Sequence, residues 1–186
     1  MNVVIGLWLD VSVKEHSNMF EVGDYIIYGS LGVCKVEKIG PMDLDGVPKD
    51  KKFYTLSNVY TKGSKVFTPV ENNKVFMRAV ISKEEACELV DHLNEIDSIL
   101  VPDEKHREEI YKEAMKSCDC KEWVRIIKTL YEKKQSRIAE GKKVSTSDDK
   151  YLKMAQENLY GELSISLQME KDQVEEYIVS RVEQRD

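Results

Sequence analysis

The spacing of apolar residues changes at one point in this chain, and the change separates two parts of different fold. Up to about residue 80, polar and apolar residues alternate in short runs bounded by turn residues, which is typical of β-strands. From Ser82 onward, apolar residues recur every three or four positions, which indicates amphipathic helices. The sequence therefore predicts an α+β protein in which strands and helices are segregated along the chain.

Five short strands are predicted in the first part. They are separated by turns, of which Gly29–Gly32 and Thr61–Ser64 are the clearest, and by a loop at 41–52. The predicted strands are 22–28, 33–39, 52–60, 65–69 and 76–80. Closing such a sheet removes its exposed edges, so we predict a small five-stranded antiparallel β-barrel over residues 19–80. Residues 1–18 are either an N-terminal extension of uncertain origin or an added strand on the barrel.

The second part, residues 81–186, is predicted to be an all-helical domain. Helix starts are indicated by Ser82 with Glu85, by Pro102-Asp103, by Asp119 with Glu122, by Ser145 with Asp148, and by Asp172. A break is predicted over 140–144, where Gly141 interrupts the apolar spacing. Trp123 shares the apolar side of its helix with Ile127 and Leu130, so we expect it in the core.

Catalytic motifs are absent from the sequence. It contains no Gly-x4-Gly-Lys-Ser/Thr loop, no Gly-x-Ser-x-Gly turn and no His-Glu-x-x-His helix. The carboxylates alternate with lysines in helical segments, as on solvated helix faces, and nothing in the pattern indicates a buried carboxylate. We therefore predict a protein that is not an enzyme and that has no catalytic residue and no cofactor.

The cysteines and the N-terminus indicate the cellular compartment. Cys34, Cys87, Cys118 and Cys120 lack zinc-ligand spacing, so we predict no metal site and free thiols in a reducing environment. The apolar run Val3–Leu9 is too short to span a bilayer and lacks the flanks of a signal peptide. We expect a cytoplasmic protein without a membrane partner, and the sequence leaves its oligomeric state open.

Charge is distributed unevenly along the chain. The net charge is -6, yet residues 121–153 carry ten Lys/Arg against five Asp/Glu, which gives this segment +5 and the remainder -11. The basic candidates are Lys121, Arg125 and Lys128 on one helix side, Lys142 and Lys143 in the following loop, and Lys150 and Lys153 on the next helix. If these two helices pack antiparallel, the side chains form one patch suited to DNA phosphates. The alternative is an ordinary lysine-rich solvated surface.

Aromatic residues are concentrated in two neighbouring predicted strands. Phe53, Tyr54, Tyr60 and Phe67 lie there, and alternation places some of these rings outward, where an apolar strip would bind another protein. The alternative is that the rings fill the core. On the fourth strand, Lys65, Phe67 and Pro69 share one face, and Val66 and Thr68 share the other.

Three stretches of the chain resemble the CarD-like (CdnL) family of bacterial transcription regulators. They are Val22–Val33, Val66–Asn72 with its Pro-x-Glu-Asn ending, and Arg125–Leu163. The resemblance implies a Tudor-like module, shared with transcription-repair coupling factors, that binds the RNA polymerase β subunit. It also implies a helical module that contacts promoter DNA at the upstream edge of the transcription bubble and modulates the stability of the open complex.

The resemblance also implies particular contact residues. Polymerase binding falls on Lys65, Val66, Phe67, Thr68 and Pro69, while Arg107 and Lys150 match basic family positions that face DNA. Family members carry a tryptophan that wedges into the minor groove, and that position falls near Glu104 here. We therefore expect weak contact with DNA that does not read sequence. The alternative is a protein-only adaptor whose helical domain docks another protein.

Overall fold

A computed structural model describes residues 20–42, 50–61, 63–72 and 74–184 of the chain. It contains five antiparallel strands followed by five α-helices, as the change in apolar spacing predicts. The strands are β1 (Tyr25–Tyr28), β2 (Val33–Gly40), β3 (Phe53–Asn58), β4 (Lys65–Pro69) and β5 (Met77–Ala79). The helices are α1 (Lys83–Asp91), α2 (Arg107–Lys116), α3 (Cys120–Ala139), α4 (Thr146–Leu167) and α5 (Val174–Glu183). The predicted extension 1–18 lies outside the described residues.

The five strands form one sheet in the order β4-β3-β2-β1-β5. The edge strands β4 and β5 do not pair with each other among the described residues, so the sheet is open and the barrel is a loose one. A register shift between Val36 and Lys38 bends β2 against β3, which gives the sheet its curvature. The predicted strand content is confirmed, but closure of the sheet is not: within the part of the chain that the structure describes, β4 and β5 each have one edge without a partner strand.

Both faces of the sheet are buried near β1. Ile26 packs with Val36 and Leu56 in a small core inside the curved sheet. Its neighbour Ile27 points the other way and joins the large core formed by the helices, together with Val33. Because successive side chains of a strand point to opposite faces, the Ile-Ile pair connects the two cores. The strands and helices therefore pack as one continuous body.

The helix caps explain where most helices begin. The hydroxyl of Ser82 accepts the Glu85 N–H at 3.1 Å, and the Glu85 carboxylate accepts the Ser82 N–H at 2.7 Å, so the predicted capping box is confirmed. The predicted caps Asp119 and Ser145 are confirmed too, since Asp119 accepts the Lys121 N–H at 2.8 Å and Ser145 accepts the Asp148 N–H at 3.3 Å.

Two predicted helix starts are wrong. Helix α2 begins at Arg107 and not at Pro102, because the Asp103 side chain accepts the Lys105 N–H at 2.9 Å and holds a turn there. A 3-10 turn over Lys171–Gln173 precedes α5, so Asp172 lies within this turn and does not cap the helix.

Helices α3 and α4 are antiparallel and supply 10 of the 21 buried residues of the large core. Near the start of α3, Cys120 lies 3.0 Å from Glu162 of α4, whereas Lys134 near its end lies 3.1 Å from Asp149. Trp123 is fully buried in this core, as predicted. Among the described residues, no helix is both long enough and apolar enough to cross a membrane.

A buried ion pair joins the sheet to α4. Glu162 is completely buried, and both of its carboxylate oxygens accept hydrogen bonds from the Arg78 guanidinium of β5. The same carboxylate accepts the Ile81 N–H at 2.9 Å, while Arg78 Nε donates to the Cys118 carbonyl at 2.7 Å. These bonds leave neither charge unpaired, and the carboxylate raises the pKa of Arg78 against the effect of burial.

We expect Glu162→Ala to destabilise the protein strongly. The substitution leaves Arg78 largely buried without its carboxylate, which costs about 3–5 kcal/mol in the free energy of unfolding. Glu157→Ala is the control, because it removes an exposed carboxylate from the same helix, where the partner is Lys171. That substitution is expected to cost less than about 1 kcal/mol. Urea unfolding followed by circular dichroism measures both, and equal destabilisation would contradict a structural role for the buried pair.

Candidate functional site

Strand β4 presents a free backbone edge and an exposed aromatic ring. The register pairs Leu56 with Val66 and Thr55 with Phe67, and the Val70 N–H reaches the Lys52 carbonyl at 3.0 Å. In this register, the backbone N–H and C=O groups of Val66 and Thr68 point toward β3. The N–H and C=O groups of Lys65 and Phe67 therefore point to the edge that has no partner strand among the described residues.

The side chains of β4 alternate as the sequence predicts. Lys65, Phe67 and Pro69 are exposed, with half of Phe67 accessible, whereas Thr68 is buried and Val66 packs against the core of the sheet. Of the five residues predicted to bind polymerase, three thus offer side chains to a partner, whereas Val66 and Thr68 have their side chains packed inward and their backbone groups turned toward β3. Phe67 borders a groove of about 290 Å³ whose wall includes Phe53 and Met42.

The other aromatic residues have different roles. Tyr54 is buried in the core of the sheet, so it does not contribute to an outer strip. Tyr60 lies against α4, where its hydroxyl donates to the Gly161 carbonyl at 2.8 Å. A Cβ on Gly161 would lie 2.8 Å from the Tyr60 ring, so this close approach requires glycine.

The basic residues proposed for DNA do not form a single patch. Lys121, Arg125 and Lys128 lie in the first half of α3, and Lys142 and Lys143 follow its end. A helix of 20 residues is about 30 Å long, so the two groups lie at opposite ends of the bundle. The helices do pack antiparallel, which was the condition for a single patch, but the expected single patch does not result because α3 is too long.

In the first group, two of the three side chains are already engaged. The Lys128 ammonium donates to the backbone carbonyls of Leu93 at 3.1 Å and Ile96 at 2.5 Å, and so fastens the segment after α1 to α3. Arg125 pairs with Glu122 at 2.8 Å. Lys121 is exposed and has no ion pair with any residue that the structure describes.

The second group lies where the end of α3 meets the start of α4. We call this region the basic end; it comprises Arg107, Lys133, Lys134, Arg137, Lys142, Lys143, Lys150 and Lys153. Several of these cations are paired, as Lys134 and Lys153 are with Asp149 at 3.1 and 2.8 Å. Hydrogen bonds from these lysines lower the pKa of Asp149, so the carboxylate stays ionised. Lys143 and Lys150 are exposed and have no ion pair within the described ranges.

A buried carboxylate organises the basic end. Asp148, in the first turn of α4, lies 3.1 Å from Arg107 Nε and 3.2 Å from Lys133 Nζ. The hydrogen bond to Asp148 raises the pKa of Arg107. Burial lowers the pKa of Lys133, but hydrogen bonds to Glu104 and Asp148 outweigh this and leave the pKa above its ordinary value. Both side chains therefore remain cationic at neutral pH.

Sequence reasoning missed Lys133 and the burial of two carboxylates. Glu162 and Asp148 are both buried, so the expectation that no carboxylate is buried is wrong. Each is held in place by ion pairs with cationic side chains. No signal in the helical pattern could reveal this, because Arg78 and Arg107 are distant from their partners in sequence.

Three of the four cysteines, Cys34, Cys118 and Cys120, are buried and poorly suited to nucleophilic chemistry. Burial raises the pKa of Cys34 to about 11, and it also raises the pKa values of Cys118 and Cys120. The thiolate is the reactive form, so these thiols are unreactive at neutral pH. Within the described part of the chain, no group of three or more His, Cys, Asp or Glu side chains could hold a metal ion.

Comparison with known families agrees with this two-part architecture. Residues 20–81 match the CarD-like/TRCF RID domain, and residues 88–179 match the CarD C-terminal domain. Together the matches cover most of the chain, so it belongs to the CarD-like family. The first match is to an RNA polymerase-interacting domain, which makes the protein a transcription-related regulator that interacts with RNA polymerase. A search of curated proteins found no match to the chain.

Lys128→Met is expected to destabilise the protein, although the sequence predicts that Lys128 contacts DNA. The substitution keeps the aliphatic stem but leaves backbone carbonyls without their donor, at a cost of about 1–3 kcal/mol in the free energy of unfolding. Lys121→Met on the same helix is the control and is expected to change stability by less than about 0.5 kcal/mol. Thermal unfolding of the two variants measures the difference. If both unfold at the wild-type temperature, the ammonium does not fasten the helices.

Proposed function

We propose that the protein binds the β subunit of RNA polymerase through β4 and contacts promoter DNA through the basic end. In this proposal, residues 19–80 form the polymerase-binding domain and residues 81–186 the DNA-contacting domain. The observation that carries the proposal is the free edge of β4, with the half-exposed ring of Phe67 beside it. The family match of residues 20–81 supports the choice of partner.

The edge of β4 supports binding by strand addition. An extended segment of the β subunit would pair with the free N–H and C=O groups of Lys65 and Phe67. The backbone bonds would supply affinity, and the ring of Phe67 and the groove beside it would supply specificity. Pro69 has no N–H, so it would limit how far the added strand could continue.

The basic end supports contact with DNA phosphates. Lys143 and Lys150 are exposed cations without ion pairs among the described residues, and Arg107 is held at the basic end by its ion pair with Asp148. Lysine and arginine contacts to phosphate position a protein on DNA without reading its sequence. Because such contacts carry no base recognition, the target promoters would be selected by the polymerase and not by this protein.

The mechanism follows from binding to one state of the promoter more tightly than to another. A protein held on the polymerase at β4 can reach the upstream edge of the bubble only when the DNA is in the matching conformation. Binding energy gained in that conformation alone shifts the equilibrium between closed and open complexes. The proposal implies a cytoplasmic protein, since bacterial transcription takes place there, and it requires no cofactor.

A protein-only adaptor remains the second candidate. It is favoured by the net charge of -6 and by the pairing of many lysines at the basic end with acidic side chains. In that case the helical part would dock a protein, and binding to DNA would be absent at every ionic strength.

Phe67→Asp is expected to weaken binding to RNA polymerase by at least about tenfold, because it places a charge in an apolar contact. Phe76→Asp is the matched control, since Phe76 is also half exposed but lies outside β4. Titration of each purified variant against core polymerase, followed by fluorescence anisotropy, measures both affinities. Wild-type affinity for Phe67→Asp would contradict the proposed site.

A second pair of variants distinguishes the contribution of the Phe67 backbone to polymerase binding from that of the Phe67 ring. Phe67→Ala removes only the ring, whereas Phe67→Pro also removes the N–H that points to the free edge. The proline leaves the pairing with β3 intact, because that pairing uses the backbone groups of Val66 and Thr68. Strand addition predicts that the proline variant binds polymerase more weakly than the alanine variant, and equal affinities would exclude it.

Lys150→Glu is expected to weaken binding to DNA and to lower its salt dependence. Loss of one phosphate contact reduces the slope of log affinity against log salt by about 0.9. Lys121→Glu is the control, because it makes the same charge change at the opposite end of α3. Binding of a short promoter duplex at several salt concentrations measures both slopes. A wild-type protein that binds no DNA would favour the adaptor instead.

A further inference from the structure

Two cations at the basic end are held in place by a buried carboxylate. Arg107 and Lys133 come from different helices, and both contact Asp148, whose side chain is only 7% exposed. Their own side chains are mostly buried, so their positions are fixed before any ligand arrives. A pair of cations ordered in advance can bind an anion without the usual cost of immobilising long side chains.

A second acidic group, Glu104, contacts the same cations from the solvent side. The Glu104 carboxylate lies 3.0 and 2.8 Å from Lys133 Nζ through its two oxygens, and 3.7 Å from Arg107 Nε. Its side chain is 66% exposed, in contrast to Asp148, and it belongs to the turn before α2. Two oxygens of one anion thus face two cations, which is the arrangement that a phosphate group would adopt.

We infer that Arg107 and Lys133 form a binding site for a DNA backbone phosphate, and that Glu104 occupies this site as a competing anion. The inference rests on the proposed contact with DNA and adds Lys133 and Glu104 to it. Glu104 must leave the site before a phosphate enters. The residue therefore sets how tightly the basic end holds DNA.

The charges explain why the competition matters. Arg107 and Lys133 carry two positive charges and the buried Asp148 one negative charge, which leaves a positive charge for a phosphate. Glu104 opposes this charge by contacting both cations, whereas another nearby carboxylate, Glu108, is exposed and lies 4.0 Å from Arg107. Asp148 cannot be displaced in the same way, because it is buried and contacts both cations. Glu104 is exposed and lies in a turn, so its displacement breaks only a surface ion pair.

The test compares Glu104→Gln with Glu109→Gln in the full chain. Both variants remove one exposed carboxylate near the start of α2, but Glu109 forms no ion pair with the described residues. Glu104→Gln is expected to bind a short synthetic DNA duplex roughly fivefold more tightly, the value of one surface ion pair. Its slope of log affinity against log salt is expected to steepen by about 0.9. Glu109→Gln is expected to remain close to the wild type in both measurements.

A double variant tests whether Glu104 acts through Lys133. In the Lys133→Gln background, Glu104→Gln is expected to give little further gain, because its main partner is gone. A full fivefold gain in that background would overturn the inference, as would equal gains from Glu104→Gln and Glu109→Gln. These outcomes leave the proposed contact with DNA intact. If neither the wild type nor any variant binds the duplex at low salt, the proposed contact itself is wrong, and the inference with it.

Discussion

The ion pair between Arg78 and Glu162 is the contact on which the rest of the structure depends. It connects the last strand of the sheet to the middle of the bundle, and the Cys120 thiol donates to the same carboxylate at 3.0 Å. A charge buried this completely is tolerated only when every hydrogen-bonding position is filled, which fixes the geometry of all its partners. The position of the sheet on the helices is thereby determined, and β4 remains as the longer of the two open edges.

Helix α4 connects the sheet to the basic end. Helix α4 runs from Glu162 beside the sheet to Asp148 at the basic end, about 21 Å along the axis. The two proposed contact regions are thus connected through two adjoining cores: the helical core, which includes Ile27 and Val33 of the sheet, and the small core of the sheet, against which Val66 of β4 packs. A protein docked at β4 would present its basic end to DNA at high effective concentration, so that a weak contact suffices.

Sequence patterns predict features that depend on neighbouring residues, such as helix caps. They do not predict features that depend on residues far apart in the chain, such as buried ion pairs. Ser145 and Asp119 cap their helices because the cap and the N–H it accepts are two or three residues apart. The burial of Glu162 depends on Arg78, 84 residues away, so it left no trace in the spacing of Leu159 and Leu163. Likewise, the basic residues could be found by counting, but their separation along α3 and their ion pairs required the fold.

In the proposed function, the pairing of the cations with acidic side chains, rather than the number of cations, would set the strength of contact with DNA. A regulator that bound DNA tightly by itself would be sequestered by the many non-specific sites of a genome, since phosphate contacts do not distinguish promoters. Acidic partners such as Asp149 and Glu104 reduce the charge that the basic end offers to such sites. Weak intrinsic contact would then become effective only when the protein is tethered at the polymerase. The low DNA affinity expected from the missing tryptophan is therefore consistent with the proposed function, in which location and not affinity would select the promoter.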